Sequence, residues 1–217
     1  MVPEFPSLYQ IETKVRTALD ARLPGPDAHF ALAPRPRLGW HPGRVPPGAR
    51  IAAGLILLYP HYDQPHILLT VRAGKLAQHP GQVCLPGGGV EPGETVDEAA
   101  LREASEEVGL DATSVRLLGM LSVLYIPVSD FALHPVVGIS ETRPSFRAAE
   151  DEVGRMLEVP LTELVTTGGP RRGYRWQRDE CFQVPFFEVG GERVWGATAM
   201  VLAELLAVIG APVLDPF

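Results

Sequence analysis

The sequence predicts an α+β fold in which helices pack around a mixed β-sheet. Apolar, β-rich runs at residues 51–59 and 66–71 flank a turn that contains Pro, Asp and Gln, which is typical of a β-hairpin. Helical patterns are few and lie far apart, at residues 7–23, about 96–108 and 197–209. Strand-like runs in a mixed order between so few long helices favour the α+β class.

The first 47 residues combine a helix with an irregular segment. Residues 7–23 carry an apolar side at helical spacing, formed by Leu8, Ile11, Val15, Ala18 and Leu19. Residues 23–47 are rich in proline, which lacks a backbone N–H and restricts its neighbours. We therefore expect no regular structure in this segment, which would wrap over the rest of the domain.

The region after residue 110 is predicted to hold two strands, a short helix, a loop and a hairpin before the last helix. In chain order these are 115–125 and 134–139 for the strands, 150–156 for the start of a helix that ends in 157–161, 168–180 for a Gly- and Arg-rich loop, and 182–189 with 192–195 for the hairpin around Gly190 and Gly191.

Composition and charge limit the classes of function. The 217 residues, 46% hydrophobic and 21% charged, suit one domain with a sizeable core. We expect a single domain over 1–217, with the N-terminal helix and Pro-rich segment at about 1–48 and the core at about 49–210. The net charge of −7 argues against a generic nucleic-acid surface, although a bound metal can reverse the local charge for a phosphate ligand.

Cysteine usage and hydropathy point to a cytoplasmic protein without a membrane partner. Cys84 and Cys181 are too few for a disulfide framework, and Cys84 lies in an apolar run as expected of a small core residue. The first residues lack the basic-then-apolar layout of a signal peptide. The longest apolar run, at residues 51–59, is too short to span a bilayer.

The most specific pattern in the chain is Gly88-x5-Glu94-x7-Arg102-Glu103-Ala104-Ser105-Glu106-Glu107-Val108-Gly109-Leu110. It starts in a Leu-Pro-Gly-Gly-Gly loop, whose glycines allow positive φ and a close backbone approach to a ligand. Thr95 and Glu98 form a capping box for a helix at about 96–108, and Gly109 suits the left-handed residue after its end.

Three carboxylates gather on this helix. Glu103 and Glu107 lie one turn apart on the same face, with Glu106 on its flank. Their mutual repulsion becomes useful if a divalent cation lies between them, and hard oxygen ligands suit Mg²⁺ or Mn²⁺. The alternative is an ordinary solvated acidic face, which does not account for the accompanying loop, cap and arginine. A neighbouring apolar stripe would seat the helix on a sheet, and it comprises Val96, Ala100, Ala104 and Val108.

The pattern is the Nudix box, so the chain resembles a Nudix hydrolase. The resemblance implies an α/β/α sandwich with a mixed sheet, and an enzyme that cuts a nucleoside diphosphate carrying a further group. It implies that Glu103 and Glu107 are the primary metal ligands, with Glu106 third and the Gly87 carbonyl as an additional ligand. Arg102 would be an organiser, because its guanidinium fork can hold Glu94 or Glu106 in a fixed rotamer.

A second motif narrows the substrate. Leu68-Leu69-Thr70-Val71-Arg72-Ala73, followed by Gly81 and Leu85-Pro86-Gly87-Gly88, resembles the signature of the coenzyme A pyrophosphatase branch of Nudix enzymes. Ala77 and Leu85 depart from that signature, which usually has an arginine and a phenylalanine there. The resemblance implies hydrolysis of coenzyme A or its derivatives to 3′,5′-ADP and 4′-phosphopantetheine. Arg72 and Lys75 are candidates to grip phosphate, and Gly88 would bring the backbone close to the substrate.

The expected mechanism is metal-assisted hydrolysis of a phosphoanhydride, in which a carboxylate removes a proton from water. A box glutamate such as Glu106, supported by Arg102, and Glu152 in the later acidic run 150–152 are the candidate bases. Solvation alone would also explain that acidic run. ADP-ribose, NADH or a dinucleoside polyphosphate remain alternative substrates, and a non-catalytic nucleotide sensor is a further alternative. Both a monomer and a homodimer are open.

Overall fold

A mixed β-sheet with helices on both faces forms the centre of the molecule. The computed structural model describes residues 5–74, 81–166, 169–177, 180–211 and 213. The α-helices are α1 (Leu8–Leu19), α2 (Pro26–Ala31), α3 (Val96–Val108), α4 (Leu161–Val165) and α5 (Ala197–Val208). The strands are β1 (Arg50–His61), β2 (Gln64–Arg72), β3 (Val83–Cys84), β4 (Gly87–Gly89), β5 (Arg116–Met120), β6 (Leu124–Ile126), β7 (Phe131–Ile139), β8 (Val153–Pro160), β9 (Arg171–Gln177), β10 (Glu180–Val189) and β11 (Glu192–Trp195).

Eight strands form the large sheet, in the order β3-β2-β1-β7-β5, with β4 on β1, β6 on β7 and β8 on β2. β1 and β7 run parallel, from the pair Arg50/Phe131 to the pair Leu58/Ile139. The other pairings in this sheet are antiparallel. β9, β10 and β11 form a separate antiparallel sheet in the order β11-β10-β9.

Side chains of β1 alternate between two apolar cores. Leu55 and Leu57 point to a core shared with α3, whereas Ile56 and Leu58 point to a core shared with α1 and α5. A strand covered on both faces needs apolar residues at consecutive positions, which explains the unbroken run in β1. This two-sided cover confirms the predicted α+β class with a mixed sheet and helices on both sides.

The glycine-rich segment fills a gap in the large sheet. β1 pairs with β2 only near the hairpin turn, from Leu58/Ile67 to His61/Gln64. Farther from the turn, β1 pairs instead with β4, and β2 pairs with β3. The residues between β3 and β4 are held by Leu55 N, which donates to Pro86 O at 2.8 Å. β4 is thereby fixed next to α3, with which it makes direct contact.

Helix α3 forms as its local sequence predicts. Thr95 Oγ1 accepts from Glu98 N, and the Glu98 carboxylate accepts from Thr95 N, which completes the predicted capping box. Gly109 ends the helix in the left-handed conformation, with φ of 64°. Ala100, Ala104 and Val108 are fully buried against the sheet, so the predicted apolar stripe is confirmed.

Four predicted elements differ from the structure. The Pro-rich segment contains the short helix α2, because Gly25 adopts positive φ before it and Pro26 occupies its first turn. The predicted helix at 150–156 is replaced by β8, which pairs along β2. The predicted loop at 168–180 contains β9, which pairs with β10. The predicted strand at 115–125 is divided into β5 and β6.

The remaining elements agree with prediction. The β1/β2 hairpin, α1, the β10/β11 hairpin and α5 lie where the sequence places them. Ile11 and Val15 of α1 belong to the same core as α5. Within the described residues, no helix is both long enough and apolar enough to cross a membrane.

Candidate functional site

At two of its three positions, Gly87 and Gly88, strand β4 lies too close to neighbouring atoms for a side chain. A Cβ on Gly87 would overlap the Ala53 carbonyl of β1, and a Cβ on Gly88 would overlap the Glu103 carboxylate. Neither glycine has positive φ, so of the two properties that the sequence allowed for these glycines it is the close backbone approach that is used. The close approach required of Gly88 is to Glu103, and it sets this carboxylate directly on the β4 backbone.

Glu107 lies beneath this strand and is only 3% exposed. Its Oε2 accepts a hydrogen bond from Gly87 N at 3.2 Å. Burial raises the pKa of Glu107 to about 7, and the negative charges of Glu103 and Glu152 add to the increase. The Arg72 guanidinium and the Gly87 N–H act in the opposite direction without cancelling it.

Arg102 connects the rest of the acidic cluster. Its Nε and Nη2 donate to the two oxygens of Glu94, at 2.8 and 3.1 Å. Nη1 donates to Glu103 Oε1 at 3.0 Å and to Glu106 Oε2 at 3.1 Å, and Nη2 also donates to Gly89 O at 3.0 Å. The sequence offered Glu94 or Glu106 as its partner, and the structure joins Arg102 to both. A single guanidinium therefore fixes three carboxylates and β4.

Glu106 is the most exposed of the three box carboxylates, with a side chain 59% accessible. It lies on the Arg102 side of α3, in the flanking position that the sequence predicts. Burial is the main cause of a raised pKa for Glu103, and the nearby charges of Glu106 and Glu152 contribute to the same direction. The carboxylates of Glu106 and Glu152 therefore lie close enough to Glu103 to raise its pKa.

Glu152 reaches the cluster from a turn before β8. Arg147 N donates to Val108 O at 2.7 Å and Ala149 N donates to Glu107 O at 2.8 Å, which attaches this segment to the end of α3. At its other end, Ala73 N donates to Glu152 O at 2.8 Å. Glu152 is exposed, and its charge contributes to the raised pKa values of Glu103 and Glu107. The structure thus brings the residue from outside the box to the box glutamates.

Arg72 lies at the end of β2, on the same side as the buried glutamate. Its charge lowers the pKa of both Glu107 and Cys84, although burial dominates and both pKa values are raised overall. Its backbone pairs with Val153, next to Glu152. Lys75, the second predicted phosphate contact, and Ala77 lie outside the described residues.

The donor chemistry fits a hard divalent cation. Within the described residues, no three carboxylate, imidazole or thiol groups converge into a compact metal-binding group. Glu103 and Glu107 nevertheless both lie at β4 with raised pKa values, and the charge of Glu152 contributes to each increase. Carboxylate oxygens that repel one another in a partly buried site are stabilised when a cation lies between them. The residues present therefore fit Mg²⁺ or Mn²⁺.

Two features of the site carry no signal in the sequence. The contact of Gly88 with Glu103 depends on how β4 pairs with β1. Residues 147–149 are attached by hydrogen bonds to the C-terminal end of α3, about forty residues earlier in the chain. A motif can identify the glycine and the glutamate, but only the fold shows that they touch.

Comparison with known proteins gives the family. Residues 48–178 match the family model described as the NUDIX domain. The uncharacterized Nudix hydrolase NudL of Citrobacter koseri is 37% identical over 148 residues, covering 68% of this chain and 77% of the relative. NudL of Salmonella paratyphi B is 39% identical over 150 residues, with the same coverage of both chains.

Among solved structures, a Nudix hydrolase from M. smegmatis, RenU, is 25% identical, covers 54% of this chain and 73% of that chain, and has a TM-score of 0.47. The family model spans more than half of the 217 residues and includes β4, α3 and Glu152. The chain belongs to the Nudix family.

Proposed function

We propose that this chain hydrolyses the diphosphate bond of coenzyme A or its derivatives, giving 3′,5′-ADP and 4′-phosphopantetheine, with Mg²⁺ or Mn²⁺ as cofactor. One observation carries the hydrolytic part of the proposal. Glu107 is buried beneath β4 with a pKa of about 7, next to Glu103 and Glu152. A buried group with a perturbed pKa and several like-charged neighbours is typical of a functional site.

In this proposal Glu103 and Glu107 are the primary cation ligands and Glu106 is the third, with the Gly87 carbonyl as a further donor. A bound divalent cation supplies charge neutralisation for the diphosphate and lowers the pKa of water. Arg102 fixes the rotamers of Glu103 and Glu106 through its two contacts from Nη1. Gly88 leaves the space that the Glu103 carboxylate requires.

Glu152 is the proposed general base, with Glu106 as the competing candidate. Glu152 is exposed, so its carboxylate can reach water, and the backbone bond from Ala73 N fixes the turn that carries it. Proton removal by a positioned carboxylate contributes roughly 10²–10⁴-fold to a hydrolytic rate. Glu106 is also accessible, but Arg102 Nη1 donates to its Oε2 at 3.1 Å and so restrains its position.

Support for coenzyme A comes from the segment that ends in Arg72. The charge of this guanidinium lowers the pKa of Glu107, and in this proposal the guanidinium contacts a phosphate of the substrate. Coenzyme A carries a 3′-phosphate in addition to the diphosphate, and arginine binds phosphate with charge-assisted hydrogen bonds. Arg72 and Lys75 are the proposed contacts, and β4 at Gly88 supplies the adjacent backbone.

A side-by-side kinetic comparison tests the substrate. Coenzyme A, dephospho-coenzyme A, ADP-ribose and NADH are assayed with Mg²⁺ and with Mn²⁺, with release of each product followed by chromatography. Coenzyme A should have a kcat/KM about ten-fold or more above that of dephospho-coenzyme A, because a charge-assisted phosphate contact contributes roughly 1.5–3 kcal/mol. Arg72→Ala should reduce this ratio, whereas Arg22→Ala, at an exposed position outside the site, should leave it unchanged.

Other results separate the alternatives. A higher kcat/KM for ADP-ribose or NADH would overturn the coenzyme A assignment and retain a Nudix pyrophosphatase. Binding of nucleotides without turnover of any diphosphate would favour a nucleotide sensor. A cytoplasmic location, the monomeric or dimeric state and a single domain over 1–217 remain predictions.

A further inference from the structure

A cleft of about 530 Å³ lies at the Gly89 end of β4. Its apolar wall includes Ile51, Val90 and Phe131, and its charged groups are Arg50, Glu91 and Glu94. This volume is within the usual range for small-molecule sites, which combine an apolar lining with a few polar groups. Ile51 is 48% exposed, so the cleft presents apolar surface at the start of β1.

The Arg50 guanidinium lies over the Phe131 ring in this cleft. The two residues are paired in the parallel register of β1 and β7, and the Arg50 guanidinium carbon lies 4.0 Å from the Phe131 ring centroid. Arg50 Nη2 also donates to Ser129 O at 2.8 Å, so the guanidinium plane is fixed before a ligand binds. Guanidinium and aromatic planes stack well on nucleobases.

The cleft is adjacent to the acidic cluster. Gly89 lines it, follows Gly88 directly in β4, and accepts a hydrogen bond from Arg102 Nη2. Glu94 also lines it and is held by Arg102 through both carboxylate oxygens. Arg102 therefore forms a common wall between the cleft and the proposed cation ligands. A nucleotide with its diphosphate at the cluster can place its base beside this wall.

Glu91 is the carboxylate in the cleft that can select a base. The Glu94 carboxylate is engaged by Arg102 and by Glu91 N, which leaves the exposed Glu91 side chain to meet a ligand. An ionised carboxylate only accepts hydrogen bonds, so it favours a base that presents an exocyclic amine. It disfavours a base that presents a carbonyl at the same position.

We propose that this cleft binds the adenine base of the nucleotide substrate, with Arg50 and Phe131 as the stacking platform and Glu91 accepting from the exocyclic amine. The assignment deepens the proposed function and rests on it for the nature of the substrate.

Binding of ADP and IDP to the full chain in a chelator tests the assignment without turnover. The two ligands differ only in the amine or carbonyl at one position of the purine, and calorimetry gives both dissociation constants. The wild type should bind ADP about ten-fold or more tightly than IDP, since a specific hydrogen bond to a base edge discriminates on this scale. Glu91→Gln should reduce this ratio to roughly three-fold or less, because an amide can serve either ligand.

Arg50→Ala should weaken the binding of ADP and of IDP by a similar factor, about ten-fold, because stacking does not depend on which groups the edge of the base carries. Arg50→Lys should weaken both as well, since it keeps the charge and loses the plane. Asp97→Asn and Arg22→Ala, at exposed positions outside the cleft, should leave both dissociation constants unchanged. Thermal unfolding of each variant verifies that it is folded.

Equal binding of ADP and IDP by the wild type would overturn the assignment, as would an unchanged ratio in Glu91→Gln. Full affinity in Arg50→Ala would overturn the stacking platform. A protein that prefers ADP through Glu91 but does not cleave coenzyme A would keep the base site and refute the proposed substrate. Cleavage of coenzyme A by a protein that binds ADP and IDP equally would support the proposed substrate and refute the base site.

Discussion

Two buried glutamates of the described chain, Glu204 and Glu107, lie on opposite faces of the large sheet in opposite electrostatic states. Glu204 on α5 is 0% exposed, and its Oε2 lies 2.8 Å from His29 Nε2. Its oxygens also accept from Gly25 N at 3.0 Å and from Ser122 N at 3.2 and 3.3 Å. Burial raises the pKa of Glu204, but these contacts outweigh it and the net pKa is lowered.

Glu107 on α3 is almost as buried but has fewer compensating groups. Gly87 N donates one hydrogen bond to it, and its carboxylate neighbours repel it, so its pKa rises to about 7. A buried charge surrounded by donors joins parts of a fold, here α2, α5 and the segment after β5. A buried carboxylate whose compensation is incomplete is typical of functional sites. The contrast is the basis for proposing that Glu204 is a structural carboxylate and Glu107 a functional one.

Removing the structural carboxylate should have the largest effect. Glu204→Ala leaves His29 and two backbone N–H groups buried without their acceptor, so we expect a loss of roughly 3–5 kcal/mol in the free energy of unfolding. Urea denaturation measures this loss, with Glu163→Ala on α4 as the control. Glu204→Gln should cost less, because its amide oxygen still accepts from Gly25 N. A Glu204→Ala variant as stable as the control would contradict the structural role.

Removing a functional carboxylate should reduce activity and leave the fold intact. Glu103→Gln or Glu107→Gln deletes one anionic ligand, so we expect a loss of roughly 10³-fold in kcat/KM at saturating Mg²⁺ or Mn²⁺. Asp97→Asn in the first turn of the same helix is the matched control. Near-wild-type turnover in both variants would refute the metal assignment, and a matching loss in Asp97→Asn would point to a general effect on α3.

The two candidate bases should differ in their effect on the chemical step. We expect Glu152→Gln to lower kcat by on the order of 10²-fold with a small change in KM, as for loss of a general base. If Glu152→Gln retains kcat within a few-fold while Glu106→Gln loses it, the base lies on α3 instead.

The same contrast explains which parts of the molecule the sequence predicts. The bounds of α3 follow from Thr95, Glu98 and Gly109, which act within a few residues of the helix ends, so local patterns predict them. β8 and β9 were predicted as a helix and a loop because their partners decide their structure. β8 pairs with β2, about ninety residues earlier in the chain, and tertiary pairing overrides weak local preference.

The sequence also does not predict which partners single residues meet through long-range contacts. Glu152 could be named as a candidate from its acidic run, but its proximity to Glu107 follows from the pairing of Arg72 with Val153. His29 and Glu204 are 175 residues apart, and neither lies in a motif. Arg50 meets Phe131 only through the parallel register of β1 and β7. Sequence patterns predict residues that act locally, and the fold determines the remaining pairs.

The smallest predicted effect is a pH dependence of stability in the metal-free protein. The folded-state pKa of Glu107, about 7, is above its ordinary value of 4.5, so the folded protein holds this proton more tightly than the unfolded chain does. The contribution of protonated Glu107 is therefore fully present below pH 4.5 and is lost as the pH rises to about 7 and above. The Gln side chain of Glu107→Gln cannot lose a proton, so the variant should not lose this stability. At pH 8 its free energy of unfolding should gain on that of the wild type by on the order of 2 kcal/mol, relative to pH 4.

Unfolding free energies of wild type and Glu107→Gln, measured in a chelator from pH 4 to pH 8, test this directly. The difference should grow in favour of the variant between pH 4.5 and pH 7 and then level off. Glu204→Gln should show the opposite behaviour, because the pKa of Glu204 is lowered: its deficit relative to wild type should shrink only below pH 4.5. Parallel pH profiles for the two variants would contradict the distinction between the two glutamates. Addition of Mg²⁺ should stabilise the wild type and not Glu107→Gln, because a cation that binds only the folded state would compensate the charge of Glu107 there.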